Sequence, residues 1–323
     1  MKLISKKIMT GLIVGAMSVS IWTPASKAES VTTTKSEISL KEKREANSTA
    51  LMIERSTGIN DILKTSTSNA ENVTITENSS GIVKVPNSLD SNPITIESNN
   101  DSLQISLPDL NLKNATKTEN GTVVYQDTTK PVDLAVQTTK DGVRSLINIK
   151  NSSAPHEYKF TVNVPNGGKL VSAAEYLGAE FDTGEVFTVD SNNIIQGVFA
   201  PAWAKDANGK PVATHYKVEG NQLIQVVEFN ENTAFPVVAD PDWGKITRCA
   251  SALAVFVGSN LVAVSKILKA KKYIQSLGGF KKSAELLLKA STWQERLNVG
   301  GTALANLGAI VFGTDQVNKH CRP

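Results

Sequence analysis

Two cysteines and three histidines are all that the 323 residues supply. So few thiols exclude a disulfide-dense scaffold, and the lack of HExxH, of CxxC and of any histidine pair at metal spacing excludes the usual zinc sites. There is no GxSxG elbow and no Gly-rich phosphate cradle, which removes the hydrolases and nucleotide enzymes built on those turns. Aromatic residues make up only 6% of the chain. None forms a stacking platform beside the basic residues, so nucleic acid is not an expected partner. No metal and no cofactor is expected either.

What is present begins with an export signal. Lys2, Lys6 and Lys7 precede an apolar run over residues 8–21, followed by Pro24 and the triplet Ser26-Lys27-Ala28. This is the pattern of a secretory signal peptide over residues 1–28, cut between Ala28 and Glu29. The run is too short to span a bilayer, which takes roughly 20 residues. Export to an oxidising compartment predicts that Cys249 and Cys321 pair, closing a loop of about 70 residues with a stabilisation of roughly 4 kcal/mol.

Charge divides the chain. Residues 29–244 hold 18 Lys and Arg against 28 Asp and Glu, a net of −10, whereas residues 245–323 hold 12 against three, a net of +9. Such an asymmetry predicts two parts with different surroundings, and it predicts that the acidic and basic parts attract each other.

Pattern follows charge. Residues 29–80 are rich in Ser, Thr and Asn with too few apolar positions for a core, so a disordered leader is expected, with one short helix near residues 53–63. From 81 to 241 the signals are those of strands: ITIESNNDSLQISL, VDLAVQTTKDGVRSLINIK, YKFTVNVPNGGKL and HYKVEGNQLIQVVEF alternate around turn residues. Asp141-Gly142 reads as a hairpin turn because both central positions of such a turn need positive φ. Many short strands without intervening helices predict an antiparallel β-sandwich.

After Pro241 the period changes to helical. Residues 249–265 carry no charge and are followed by Lys266, Lys269, Lys271 and Lys272. Leu277-Gly278-Gly279 stops that helix, a second is expected over residues 281–290, and a third starts at Thr292, with Glu295 completing a capping box. The expected fold is therefore multidomain α+β. An acidic β-sandwich (81–241) precedes a basic, disulfide-closed module of about three helices (242–323).

The stretch PAWAKDANGKPVATHYKVEGNQLIQVVEF, residues 201–229, and FPVVADP, residues 235–241, resemble a segment recurring in secreted proteins of Gram-positive, largely actinobacterial, bacteria. There a PWA-DA-G stretch, a V-THY-V-GN-L-QVV stretch and a terminal YPVVADP close a β-rich region that precedes a variable C-terminal segment. Ala202 and Phe235 depart from that pattern. The resemblance implies a secreted location and a β-rich architecture, and it implies no mechanism.

Residues that could carry chemistry are sparse. His215 in Thr214-His215-Tyr216 reads as structural. Glu180, Asp182 and Glu185 read as solvated acids on a turn, not a carboxylate pair. Asp190-x-Asn192 and Asp206-x-Asn208-Gly209 lack the distal acid of a calcium loop and read as β-turns. Trp203 and Trp243 read as packing groups.

The sharper signal is cationic. Lys266, Lys269, Lys271, Lys272, Lys281 and Lys282 beside apolar helices form a candidate contact with an anionic membrane surface. A core helix with solvated lysines competes with that reading, and it puts Val264 in the core. The sequence thus predicts a secreted or envelope-associated, non-enzymatic binding protein with an unidentified protein or envelope ligand. A bacteriocin-like membrane toxin, its cationic module shielded by the acidic domain, is the alternative, and a secreted enzyme ranks third.

Overall fold

The computed structural model describes residues 26–64, 66–68, 73–88, 93–98, 101–112, 115–245, 248–258 and 262–321. The apolar run at residues 8–21 lies outside them. The chain divides into two compact units, Met1–Glu42 and Lys43–Pro323. In the first, the described residues belong to the start of helix α1 (Ser26–Thr57), which includes Ala28 and Glu29.

The second unit is a two-sheet β-sandwich followed by helices. Its strands, in chain order, are β1 (Ser66–Ser68), β2 (Val73–Asn78), β3 (Gly81–Pro86), β4 (Ile94–Ser98), β5 (Asp101–Ser106), β6 (Thr116–Lys117), β7 (Val123–Gln126), β8 (Val132–Thr138) and β9 (Gly142–Ile149). There follow β10 (Glu157–Asn163), β11 (Lys169–Ser172), a short helix α2 (Ala173–Leu177), β12 (Val186–Val189), β13 (Ile195–Phe199), β14 (Ala204–Lys205), β15 (Ala213–Glu219), β16 (Gln222–Glu228), β17 (Val237–Ala239) and β18 (Asp242–Lys245). One sheet has eight strands in the order β1-β2-β3-β4-β5-β10-β16-β15. The other has ten, with β11-β12-β13-β18-β9-β8-β7-β6 as its path and β14-β17 joined to β9.

The two sheets differ in how they meet water. In the eight-stranded sheet β10 alternates exposed and buried residues, as expected when one face is wet. In the ten-stranded sheet all seven residues of β8 are buried. Its inner face joins the sandwich core of Tyr125, Leu134, Ile147, Phe160 and Leu223. Its outer face is covered by helices in two places.

The first cover is α1, where the sequence predicts a disordered leader. Ala46, Thr49, Ala50, Ile53 and Glu54 lie at helical spacing and are all buried, and the three apolar residues among them pack on Val124, Ala135, Leu146 and Val238. Polar contacts fix the docking: Thr49 Oγ1 donates to Asp133 Oδ2 at 2.8 Å, and Thr122 Oγ1 donates to Glu54 Oε1 at 2.7 Å. The expectation of disorder up to residue 80 is corrected accordingly. A stripe of two alanines, one isoleucine and a threonine is too slight to register as a helix in composition, yet small residues let a helix approach a sheet closely. Strands β1 and β2 also fall within the supposed leader.

The second cover is the C-terminal segment, whose described residues form five helices where about three are expected: α3 (Arg248–Gly258), α4 (Val264–Ser276), α5 (Phe280–Leu288), α6 (Trp293–Val311) and α7 (Asp315–His320). The apolar run divides between α3 and α4, α6 breaks at Gly301 (φ 64°), and the capping box of Thr292 and Glu295 is formed. Cys249 in the first turn of α3 is bonded to Cys321 at the end of α7. The helices share one apolar core with the outer face of β11 to β13, in which Leu253, Phe280 and Leu307 meet Val171, Phe187 and Val198. Docking of the two oppositely charged parts therefore rests on an apolar core.

Two turns differ from their sequence reading. Asp141-Gly142 turns the chain between β8 and β9, but neither residue has positive φ. Glycine is required because a Cβ there would collide with the carbonyl oxygen of Trp243 on the neighbouring β18. Asn166 (φ 56°) and Gly167 (φ 71°) do turn as expected, but they link β10 to β11, which belong to different sheets.

The motif FPVVADP does not end the β-region. After β17 the chain kinks at Asp240-Pro241 and continues as β18, which pairs with β9 on one side and β13 on the other. Arg144 Nε donates to Asp242 Oδ2 at 3.2 Å across the β9 contact.

The docking of α1 is testable in the full chain. Ala50→Asp buries an unpaired carboxylate and should cost about 3 kcal/mol in urea unfolding. Leu51→Asp, at a position 55% exposed on the same helix, should change stability by no more than about 0.5 kcal/mol. Equal losses would show that the helix does not dock in solution.

Candidate functional site

The six lysines singled out by the sequence do not form one patch. Lys266, Lys269 and Lys272 are exposed along α4, and with them stand Val264 (70% exposed) and Leu268 (43% exposed). Residues 264, 268 and 272 are four apart and share one face of the helix. The opposite face is anchored by Ala270 and Ile274, both fully buried.

The other three lysines are placed differently. Lys271 Nζ donates to the carbonyl of Leu177 and sits over the Phe181 ring, 5.5 Å from its centroid. Lys281 is half-buried, and Lys282 lies 3.9 Å from Glu285. Val264 is therefore a surface residue, which corrects its expected place in the core. Val255 is 50% exposed and Phe256 is buried.

Glu185 couples the sandwich to the helices. It is buried immediately before β12, in phase with Phe187 and Val189 on the face that meets the helices. Its carboxylate accepts hydrogen bonds from Phe280 N (3.0 Å), Lys281 N (3.4 Å) and Thr183 Oγ1 (3.0 Å). It thus caps the N-terminus of α5, whose own cap residue is Gly279. A glycine is needed there: φ is 100°, and a Cβ would lie 2.5 Å from the Glu185 carboxyl carbon. Burial pushes the Glu185 carboxyl up to about 7, against the opposing pull of these hydrogen bonds and of Lys281. Glu180 and Asp182 are exposed, so the three acids do not gather. The readable signal for Glu185 was a lone acid in register with an apolar strand face.

A second buried acid lies where the stretches of residues 201–241 meet. Asp240 is fully buried, and its Oδ1 accepts from the Trp203 backbone N–H at 2.9 Å and from Gln225 Nε2 at 3.3 Å. Gln225 Nε2 also approaches Thr214 Oγ1 at 3.2 Å. Burial holds the Asp240 carboxyl well above the usual carboxylate range, with Asp242 adding to the effect, and burial likewise raises the Tyr216 hydroxyl. The PAW, THY, QVV and VVAD stretches thus each supply a residue to one interior cluster that ties β15 and β16 to the end of β17.

The remaining candidates take structural roles. His215 Nδ1 lies 3.6 Å from Glu228 at the surface, and His156 stacks on Phe229 with ring centroids 4.1 Å apart. Asp190 Oδ1 accepts from the N–H groups of Asn192 and Ile194, and Asp206 Oδ1 from those of Asn208 and Lys210, which is ordinary turn bonding. Trp203 packs beside α1 with Lys205 over its ring. Among the described residues no group of three or more His, Cys, Asp or Glu is placed to hold a metal ion, and no helix is long and apolar enough to cross a membrane. No family model matches the chain, and a comparison with curated protein sequences returned no match.

The Glu185 cap has a pH signature. Its folded value near 7 lies above the usual 4.5, so the folded chain holds a proton that the unfolded chain has released. The associated stability is full below about pH 4.5 and is lost as pH rises through about 7, by on the order of 3 kcal/mol. Chemical denaturation between pH 4.5 and 7.5 should show this fall, and Glu185→Gln should flatten it. An unchanged slope in the variant would assign the effect elsewhere.

Proposed function

We propose that this chain is an exported binding protein of Gram-positive type, non-catalytic, which attaches to an anionic envelope membrane through the outer face of α4. The observation that carries the reading is the exposure of Val264 and Leu268 beside the solvated Lys266, Lys269 and Lys272. Large aliphatic groups flanked by ammonium groups suit an anionic interface, because apolar burial and attraction to acidic headgroups add. The helix is held from behind by the core shared with the sandwich, so it can lie on a surface without unfolding. The export signal, the disulfide and the resemblance of residues 201–241 to secreted proteins agree with this location.

The full chain should co-sediment with vesicles containing phosphatidylglycerol and not with phosphatidylcholine vesicles, and added salt should weaken the binding. Changing Lys266, Lys269 and Lys272 together to Gln should lower affinity by about 1 kcal/mol per charge. Val264→Asp should weaken binding while leaving the thermal midpoint in place, because the position is exposed. Equal binding to both vesicle types would overturn the proposal. Release of trapped dye would favour the membrane-active toxin over a peripheral binding protein.

A further inference from the structure

The structure assigns Asn166 as a site of spontaneous covalent modification: its side-chain amide is lost as ammonia through attack by the next backbone nitrogen. Aspartate or isoaspartate is left in the turn that joins the two sheets. The site lies apart from α4, and nothing in it depends on membrane binding.

An asparagine followed by glycine is open to this reaction because a residue without Cβ lets its nitrogen approach the neighbouring side chain. The chain holds three such pairs, Asn120-Gly121, Asn166-Gly167 and Asn208-Gly209. All three asparagines are exposed, so access to water does not separate them. The attacking nitrogen does. Gly121 N donates to the carbonyl of Thr118 at 3.2 Å, and Gly209 N donates to that of Asp206 at 2.9 Å. The turn at Asn166 is closed one residue later, by Gly168 N donating to the carbonyl of Pro165 at 3.0 Å. Gly167 N–H is left with no acceptor among the described residues.

Packing points the same way. Gly121 is buried, with the Leu63 carbonyl oxygen 2.6 Å from where a Cβ would stand, and Asn120 Nδ2 is held by Glu54 Oε2 at 2.7 Å. Asn208 sits in a turn whose Asp206 carboxylate accepts from the N–H groups of Asn208 and Lys210. Around Gly167 the space is open, and the neighbouring chain does not obstruct the ring closure.

Water is the sole co-reactant. Gly167 N gives its proton to solvent and forms a bond to Asn166 Cγ. The Cγ–Nδ2 bond then breaks, and the amide nitrogen leaves as ammonia after taking a proton from water. Water opens the five-membered imide at either carbonyl, giving aspartate or its isoaspartate isomer, whose backbone is one carbon longer. In the parent chain Asn166 Nδ2 donates to Asp101 Oδ1 at 2.7 Å, which ties the β10-β11 turn to the start of β5. Conversion removes that donor and sets a second carboxylate beside Asp101, so a tie at the crossing between sheets becomes a like-charge contact.

The full chain should be aged in mildly alkaline buffer, digested, and mapped by mass spectrometry for isoaspartate and for the gain of one mass unit at each asparagine. In the folded chain Asn166 should convert roughly fivefold faster than Asn120 or Asn208, the advantage of a nitrogen with no hydrogen bond to break. In urea the three rates should converge. Asn166→Asp should lower the thermal midpoint, and Asp101→Asn in the same chain should restore it. Equal conversion of the three pairs in the folded chain, or a lead by Asn120 or Asn208, would overturn the assignment. A lead of Asn166 that persists unchanged in urea would do so too, by tracing it to local sequence. Asn166→Asp with an unchanged midpoint would overturn the effect on the sandwich.

Discussion

Strands β8 and β9 bury nearly every side chain they carry, which leaves the ten-stranded sheet with two faces that must both be kept from water. The eight-stranded sheet covers one face and can afford a wet exterior of its own. The other face needs helices, and no single segment supplies enough. The chain therefore closes it from both directions, with α1 arriving before the sandwich in sequence and α3 to α7 after it. Hydrophobic burial sets the layers, and a few buried polar contacts set the positions. Thr49 with Asp133 and Glu185 with the start of α5 each fix a helix where apolar packing alone would allow it to slide.

This division of labour frees one helix face for other use. The side of α4 that joins the core carries Ala270 and Ile274, and Lys271 bonds a sandwich carbonyl. The net charge of the last 79 residues is thus spent unevenly. Some lysines hold the module to the sandwich, others are solvated, and only position on the helix distinguishes them.

Much of the sandwich was legible because alternation is a direct record of a half-wet sheet, as in β10. The same rule misleads in β8. Val132, Leu134 and Val136 alternate with Asp133 and Gln137, which read as solvent-facing, yet both polar residues are buried, Asp133 being bonded by Thr49 of α1. A polar position under a helix and one in water give the same letter pattern. The docked leader was missed for the complementary reason, its contact stripe being built from small residues. Capping chemistry at Thr292 and the pairing of Cys249 with Cys321 were readable since both are local or compositional. Glu185 left only the trace of a lone acid in phase with an apolar strand face, and the Asp240 cluster left none, because its members meet only once distant stretches of chain become neighbours, which the turn at Asn166-Gly167 does not announce.

The placement of β18 bears on how the molecule comes to be folded. Among the described residues this strand is the last of eighteen in chain order, yet it lies between β13 and β9 in the interior of its sheet. A chain emerging from its N-terminus presents two open edges there until residue 245 arrives, so the sheet cannot close early on partial sequence. Non-local closure of this kind is slow, and exposed edges invite mispairing. For a chain exported as proposed above, the same delay is useful, because the polypeptide crosses its membrane extended. The interior is sealed only when nearly the whole length is present, and the helices and the disulfide that follow lock a sheet already complete.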